Sequence, residues 1–422
     1  MSHFQFIYQK LVTLFFLILI PIAGQAQFSL SGEFRPRTEL RNGYKLLRTS
    51  QNNPAFFTSQ RTRLNLVYKQ DKYTFKLSGQ DVRTWGEVDQ LQDNPNVNIH
   101  EAWAQVNFSE TLGMKIGRQE LVYDDQRLLG SVNWAQQGRS HDALLITYQN
   151  QSSEFSLDIG GAYNQEAQNV LGNSYSLPNY KMLSYVWLNK DFGKFDASGI
   201  FLTDGFEVSS GSVNYRYTYG THINYHAKDL AISGTIYAQS GDDANRNNIW
   251  AYMAAGKVSY DLSLVIITVG YDYLSGGDAG DSNPTSHAFN TLYATNHKFY
   301  GHMDYFTNIP ADTRGGSLQD AQVGVAFATS EKTSLNLTYH HFSLANEITD
   351  PLNPGQTLDI SLGSEVDFSL DYGFSDEINF RLGYSALFEN ASLEDLQQRQ
   401  ADGLQQWGWV MLTLKPKFLD GD

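Results

Sequence analysis

Over residues 28–41 the chain alternates with a period of two. Phe28, Leu30, Gly32, Phe34 and Pro36 take the even positions, and Ser29, Ser31, Glu33, Arg35, Arg37, Glu39 and Arg41 the odd ones. A helix would scatter those five charges around its circumference, whereas a strand places them on one face. Segments of the same kind recur at 57–69, 73–85, 99–108, 112–120, 139–148, 154–164, 180–190, 194–203, 213–225, 229–239, 249–259, 262–273, 318–329, 334–342, 359–373, 377–387 and 405–418. That makes about eighteen strands of roughly ten residues, each with one apolar and one polar face, which is the pattern of strands that cross a bilayer.

Residues 1–26 predict a cleaved secretory signal, with Lys10 ahead of an apolar stretch at 11–22 and Gly24-Gln25-Ala26 as a small-x-small cleavage site. The apolar stretch is shorter than the ~20 residues a spanning helix needs. No later run reaches that length, so an exported chain that enters a membrane must cross it as strands closed into a barrel, because lipid offers no partner to an open sheet edge. The predicted fold is all-β: one closed antiparallel transmembrane barrel over 27–422, in the outer membrane of a Gram-negative bacterium. Links alternate between short (70–72, 109–111, 191–193, 330–332) and long (42–55, 86–98, 165–179, 275–317, 389–404). Short periplasmic turns and long extracellular loops follow, with both chain ends on the periplasmic side. Tyr215, Tyr217, Tyr219, Trp407 and Trp409 sit near strand ends and are predicted to form interfacial girdles. A soluble propeller is disfavoured, since no blade repeat of about 40 residues occurs.

The 422 residues include no cysteine, which excludes a disulfide scaffold and thiolate metal sites, and a net charge of -15 argues against nucleic acid as a partner. That charge is unevenly spread. Residues 28–139 hold fifteen basic and twelve acidic side chains, a balance of +3, and residues 140–422 hold fourteen and thirty-three, a balance of -19. Arg35, Arg37, Arg61, Arg63 and Arg83 fall in the polar phase of early strands. If those strands are neighbours, one lumen wall carries a guanidinium ladder that attracts carboxylates or phosphates. Glu33, Glu39, Asp81 and Glu101 share those faces, so the ladder reads equally as a selective filter or as a salt-bridged brace. No cofactor-binding motif, phosphate-cradling loop or zinc spacing is present. Asp278, Asp281 and Asn283 offer oxygens to a calcium ion without EF-hand spacing, and a solvated turn is the simpler reading. His141 with Asp142, His340 with His341, and His297 with His302 and Asp304 invite a rim-enzyme reading, but no serine stands in a nucleophile motif and the chain is not read as an enzyme.

The run GRQELVYDDQRLLGSVNWAQQGRSHDA at 117–143 resembles the alginate export family of outer-membrane barrels. FRPRTE from Phe34, RTRLNL from Arg61, QDVRTWGE from Gln80, FNTLYATNHKFYGHMDYF from Phe289, LGSEVDFSL from Leu362 and RLGYSALFE from Arg381 extend the resemblance over nearly the whole mature chain. It implies an eighteen-stranded barrel through which a polyuronate passes an arginine- and lysine-lined constriction. Carried over position by position, it implies a lumen filter of Arg35, Arg37, Arg61, Arg63, Arg83, Arg118, Arg127 and Arg139. Glu33, Asp81, Asp125 and Asp142 would be their partners, and Trp134 would stack on a sugar or pack within its loop. The implied function is passive passage of an anionic saccharide or similar anion, with outer-membrane lipid and that solute as the partners. The alternative is a general small-solute porin whose arginines are braces.

Overall fold

The computed structural model describes residues 27–92, 96–208, 211–244, 246–277 and 285–421. The signal segment 1–26 and the candidate oxygen ligands Asp278, Asp281 and Asn283 lie outside the described residues. Eighteen strands follow one another: β1 (Gln27–Asn42), β2 (Ala55–Lys69), β3 (Tyr73–Thr84), β4 (Val97–Asn107), β5 (Leu112–Gln119), β6 (His141–Asn150), β7 (Phe155–Tyr163), β8 (Met182–Asp191), β9 (Phe195–Glu207), β10 (Val213–Ala227), β11 (Leu230–Asp242), β12 (Asn248–Asp261), β13 (Val265–Leu274), β14 (Gln319–Ser330), β15 (Thr333–Ser343), β16 (Ser361–Gly373), β17 (Ile378–Glu389) and β18 (Gln405–Leu414). A stub, Lys417–Leu419, continues β18 beyond Pro416, whose ring has no N–H to give the ladder. Each strand pairs antiparallel with the next, and β1 pairs with both β2 and β18, so the sheet closes on itself. This is the closed barrel that the alternation predicted.

Polarity is inverted relative to a soluble core. The outward phase exposes Leu64, Phe75, Ile116, Ile146, Val186, Phe201, Ile236, Val258, Val269, Leu337 and Val410. The inward phase buries Arg61, Asp204, Gln239, Asp272, Asp320, Glu365 and Ser385. An apolar belt around a polar interior is stable where lipid replaces water outside. Tyr217 and Tyr219 face outward, as predicted for a girdle. Trp407 and Trp409 do not. Val410 holds the outward phase of β18, so the opposite phase buries both indoles in the lumen.

The start of β1, Gln27, lies opposite Lys69 beside the tight β2–β3 turn, at the short-turn end of the barrel. From the other end two long loops, 120–140 and 286–317, fold into the lumen. Leu121, Leu128, Leu129, Phe289, Tyr300, Met303, Phe306 and Ile309 are almost wholly buried there. Burying each such side chain contributes roughly 1.5–3 kcal/mol, so the loops form a packed plug within the lumen. They are stitched together by a parallel bridge between Leu129 and Tyr293, with Tyr293 N donating to Leu128 O and Gly130 N to Tyr293 O, both at 2.9 Å. The barrel wall anchors them through Tyr123 Oη to Asp158 Oδ2 (2.9 Å), Tyr293 Oη to Asp204 Oδ2 (2.9 Å) and Met303 N to Glu365 Oε1 (2.8 Å).

Candidate functional site in the lumen

The register of β1 on β2 sets Arg35 opposite Arg61 and Glu33 opposite Arg63. Like charges facing each other across a ladder repel, so this wall needs acceptors close by. Glu33 accepts from Arg61 Nε at 3.0 Å and lies 3.7 Å from Arg35 Nε. Glu39 accepts from Arg37 Nε at 2.9 Å and from Arg41 Nε at 3.0 Å. Arg35, Arg37, Arg41 and Arg61 thus share two carboxylates, Arg63 pairs with neither, and three positive charges remain over on this face of β1 and β2.

The inward loop supplies the other acceptors. Arg35 Nη1 donates to Asn133 O at 2.8 Å and its Nε to Gln136 Oε1 at 3.1 Å. Arg37 Nη1 donates to Trp134 O at 2.9 Å, and Arg61 reaches Gln136 O at 3.2 Å and Asn133 Oδ1 at 2.9 Å. Loop carbonyls facing guanidiniums explain why 131–137 lies against this wall. No periodicity marks that stretch, so its inward course was not legible in the sequence.

The eight arginines singled out by the resemblance therefore divide. Arg35, Arg37 and Arg61 are buried braces between wall and loop. Arg127, within the loop, is locked to Asp272 Oδ2 at 2.7 Å and Asp125 Oδ2 at 2.9 Å. Burial disfavours the charge of Arg127, but Asp272 and Asp125 outweigh it and hold its pKa above the ordinary value. Arg63 and Arg139 are different. Arg63 leans on the neutral Gln80 Oε1, at 2.7 Å from Nη2, and Arg139 on the Ala294 carbonyl at 3.0 Å. Among the described residues neither forms an ion pair with a carboxylate. Burial pushes the Arg139 guanidinium below its ordinary pKa.

Arg83 and Arg118 fall in the outward phase of their strands, although Arg83 also borders the rim of the cavity between the wall and the loops. Tyr73 and Phe75 set the outward phase of β3, which Asp81 and Arg83 share, and Arg83 Nη2 bonds Asp81 Oδ2 at 2.6 Å there. Leu112 and Ile116 set the outward phase of β5, which places Arg118 outside, paired with Asp142 Oδ2 at 2.8 Å. Both are surface pairs near the long-loop rim. Trp134 is a packed loop aromatic. It stacks on His297 with centroids 4.6 Å apart, meets Trp409 edge-on at 4.8 Å, and carries Arg37 4.3 Å from its centroid.

Between the wall and the loops lies a cavity of about 530 Å³, lined by Arg37, Arg41, Lys45, Arg139, Glu39 and Asp304 among others. Arg41 shares the phase of Arg35 and Arg37, a signal present in the sequence; Lys45 sits in an aperiodic loop and left none. Asp304 accepts from Tyr44 Oη and pairs with His297 Nδ1 at 2.7 Å. Burial works against its charge, but His297, Tyr44 and Lys45 hold the Asp304 carboxyl below the ordinary value. His340 likewise meets Asp320 at 2.9 Å across β15 and β14, and His302 meets Asp367 at 3.8 Å, a contact that ties the loop to the wall. His100, Glu101 and Glu120 bring three ligand atoms within 4.8 Å of one another and could hold a cation. Lys76 and Trp103 already engage Glu101, and His100 bonds Glu120 at 2.7 Å, so the cluster also braces the root of the inward loop.

The alginate export family matches residues 26–162, the segment that contains this wall and loop. No curated protein matches the chain. Among solved structures, Pseudomonas aeruginosa OpdL is similar with a TM-score of 0.62 at 11% identity, over 93% of this chain and 99% of that one. Pseudomonas aeruginosa OpdK with vanillate gives 0.56 at 12%, over 93% and 99%. Acinetobacter baumannii OccAB4 gives 0.60 at 12%, over 93% and 98%. The fold is that of outer-membrane channels, and a closed barrel with an apolar belt places the chain in the outer membrane of a Gram-negative bacterium. The resemblance to the alginate export family holds over the first third of the sequence, and the chain is an eighteen-stranded outer-membrane channel for solutes.

Proposed function

We propose that this channel passes an anionic saccharide of the alginate-like polyuronate type. The supporting observation is the excess of three positive charges on the lumen face of β1 and β2, beside the cavity that Arg139 also lines. In a narrow lumen with low-dielectric walls such an excess raises the local concentration of carboxylates. Arg63 and Arg139 carry the selectivity, because neither forms an ion pair with a carboxylate among the described residues, and Arg35, Arg37 and Arg61 hold the loop that narrows the passage. Small carboxylates are the second cargo on this reading; OpdK, a structural neighbour, was solved with vanillate. Reversal potentials under a salt gradient in planar bilayers test the reading. Anion preference is expected, and clear cation preference would overturn it.

A further inference from the structure

Below the arginine wall, the lumen face of β5 is nearly bare. It presents Gly113, Lys115 and Gly117 in succession, one long cation between two positions without side chains. The neighbouring strands fill that gap in register. Trp103 stands opposite Gly117, Gln105 opposite Lys115 and Asn107 opposite Gly113 on β4, while Thr147 stands opposite Gly113 on β6. Lys115 Nζ sits 4.2 Å from the Trp103 ring centroid and forms no ion pair among the described residues. Thr147 Oγ1, Asn107 Oδ1 and Gln105 Nε2 converge to within 3.0, 3.4 and 3.5 Å of where a Gly113 side chain would start. A cavity of about 390 Å³ opens at Gly113, lined by Gln105, Asn107, Thr147 and Gln149 and, at the tight turns, by Asp71, Lys72 and Glu110; Lys115 and Trp103 lie outside its lining.

We infer that this patch is a second saccharide station, at the periplasmic end of the passage and distinct from the arginine wall. It rests on the saccharide reading proposed above and deepens it. Amide and hydroxyl groups that both donate and accept, set around an empty backbone position, suit sugar hydroxyls, which also do both. Lys115, the next inward residue of β5 after Gly113, offers one charge to a uronate carboxylate that extends past the cavity. The arginine wall above selects for charge, and this station selects for hydroxyls. A polyuronate meets both requirements, whereas a small inorganic anion meets only the first.

The test is single-channel blockade by an alginate oligomer and by a neutral malto-oligosaccharide of equal length, added from the periplasmic side. The variants are Gln105→Ala with Asn107→Ala, which removes uncharged groups, and Gly113→Ala, whose methyl crowds Thr147 Oγ1 and Asn107 Oδ1 and removes none. Each is expected to shorten the blockade dwell time about three- to tenfold for both oligomers, the loss of one or two hydrogen bonds, with open-channel conductance and reversal potential unchanged. Dwell times equal to wild type in both variants overturn the station and leave the arginine reading standing. Absence of blockade in the wild type overturns the station together with the saccharide reading.

Discussion

Replacing Arg63 and Arg139 together by glutamine removes the two lumen arginines that form no ion pair with a carboxylate among the described residues, while keeping a side chain able to donate to Ala294 O and pair with Gln80. An anion passing about 6 Å from each charge gains roughly 0.7 kcal/mol per charge in a wet lumen with a dielectric constant of about 80. Losing both costs roughly 1.4 kcal/mol, or about tenfold in anion partitioning at vanishing salt. At about 0.15 M salt the screening length of about 8 Å halves the effect, leaving roughly threefold, and at about 1 M, with a length of about 3 Å, almost nothing remains. The assay is the anion-to-cation permeability ratio from reversal potentials, measured at both salt levels. A ratio unchanged at low salt, from a wild type that prefers anions, would refute the assignment. So would a drop of equal size at high salt, because a screened charge cannot act there.

Arg127→Met leaves Asp272 and Asp125 without their shared cation; breaking a buried pair costs about 3–5 kcal/mol, so loop 120–140 should loosen, read as higher and noisier single-channel conductance. Arg83→Gln and Arg118→Gln, on the outward face, should move thermal stability by less than about 1 kcal/mol and leave selectivity unchanged, since exposed pairs contribute little. Gly117→Ala should impair folding, read as loss of the compact heat-modifiable band on gels, because Gly117 holds φ +125 and a Cβ would meet Ala102 O at 2.2 Å. Asp304 has a folded pKa below its ordinary 3.8, so its stabilisation is full above that value and lost as pH falls through the folded one. Conductance noise from the contact between Tyr44 and loop 286–317 should therefore stay flat from neutral pH down to about 4 and rise only below it.

The barrel was legible because period-two alternation is a local signal, and every strand carried it. Two misplaced residues were also legible in principle. Tyr73 and Phe75 put the odd positions of β3 outward, so Arg83 had to follow them, and Leu112 and Ile116 fix Arg118 in the same way. Val410 and Leu412 likewise assign Trp407 and Trp409 to the lumen. Phase decides the face of a strand residue over both the charge of Arg83 and the resemblance that singled out Arg118. The inward loops lie beyond such reasoning. Their course depends on contacts over long sequence separations, such as Arg35 with Asn133 and Arg127 with Asp272, and no local period encodes them.

The closing seam lies between β1 and β18, and β1 is the strand that carries Arg35, Arg37 and Arg41. The wall that carries these arginines thus contains the joint that the chain can make only after its last strand exists. A pore that conducts with the right ionic preference therefore reports completed assembly, and any chain stopped short of β18 lacks the filter as well as the wall. Because contacts this far apart in sequence form slowly, selectivity should be among the last properties to appear during refolding into lipid.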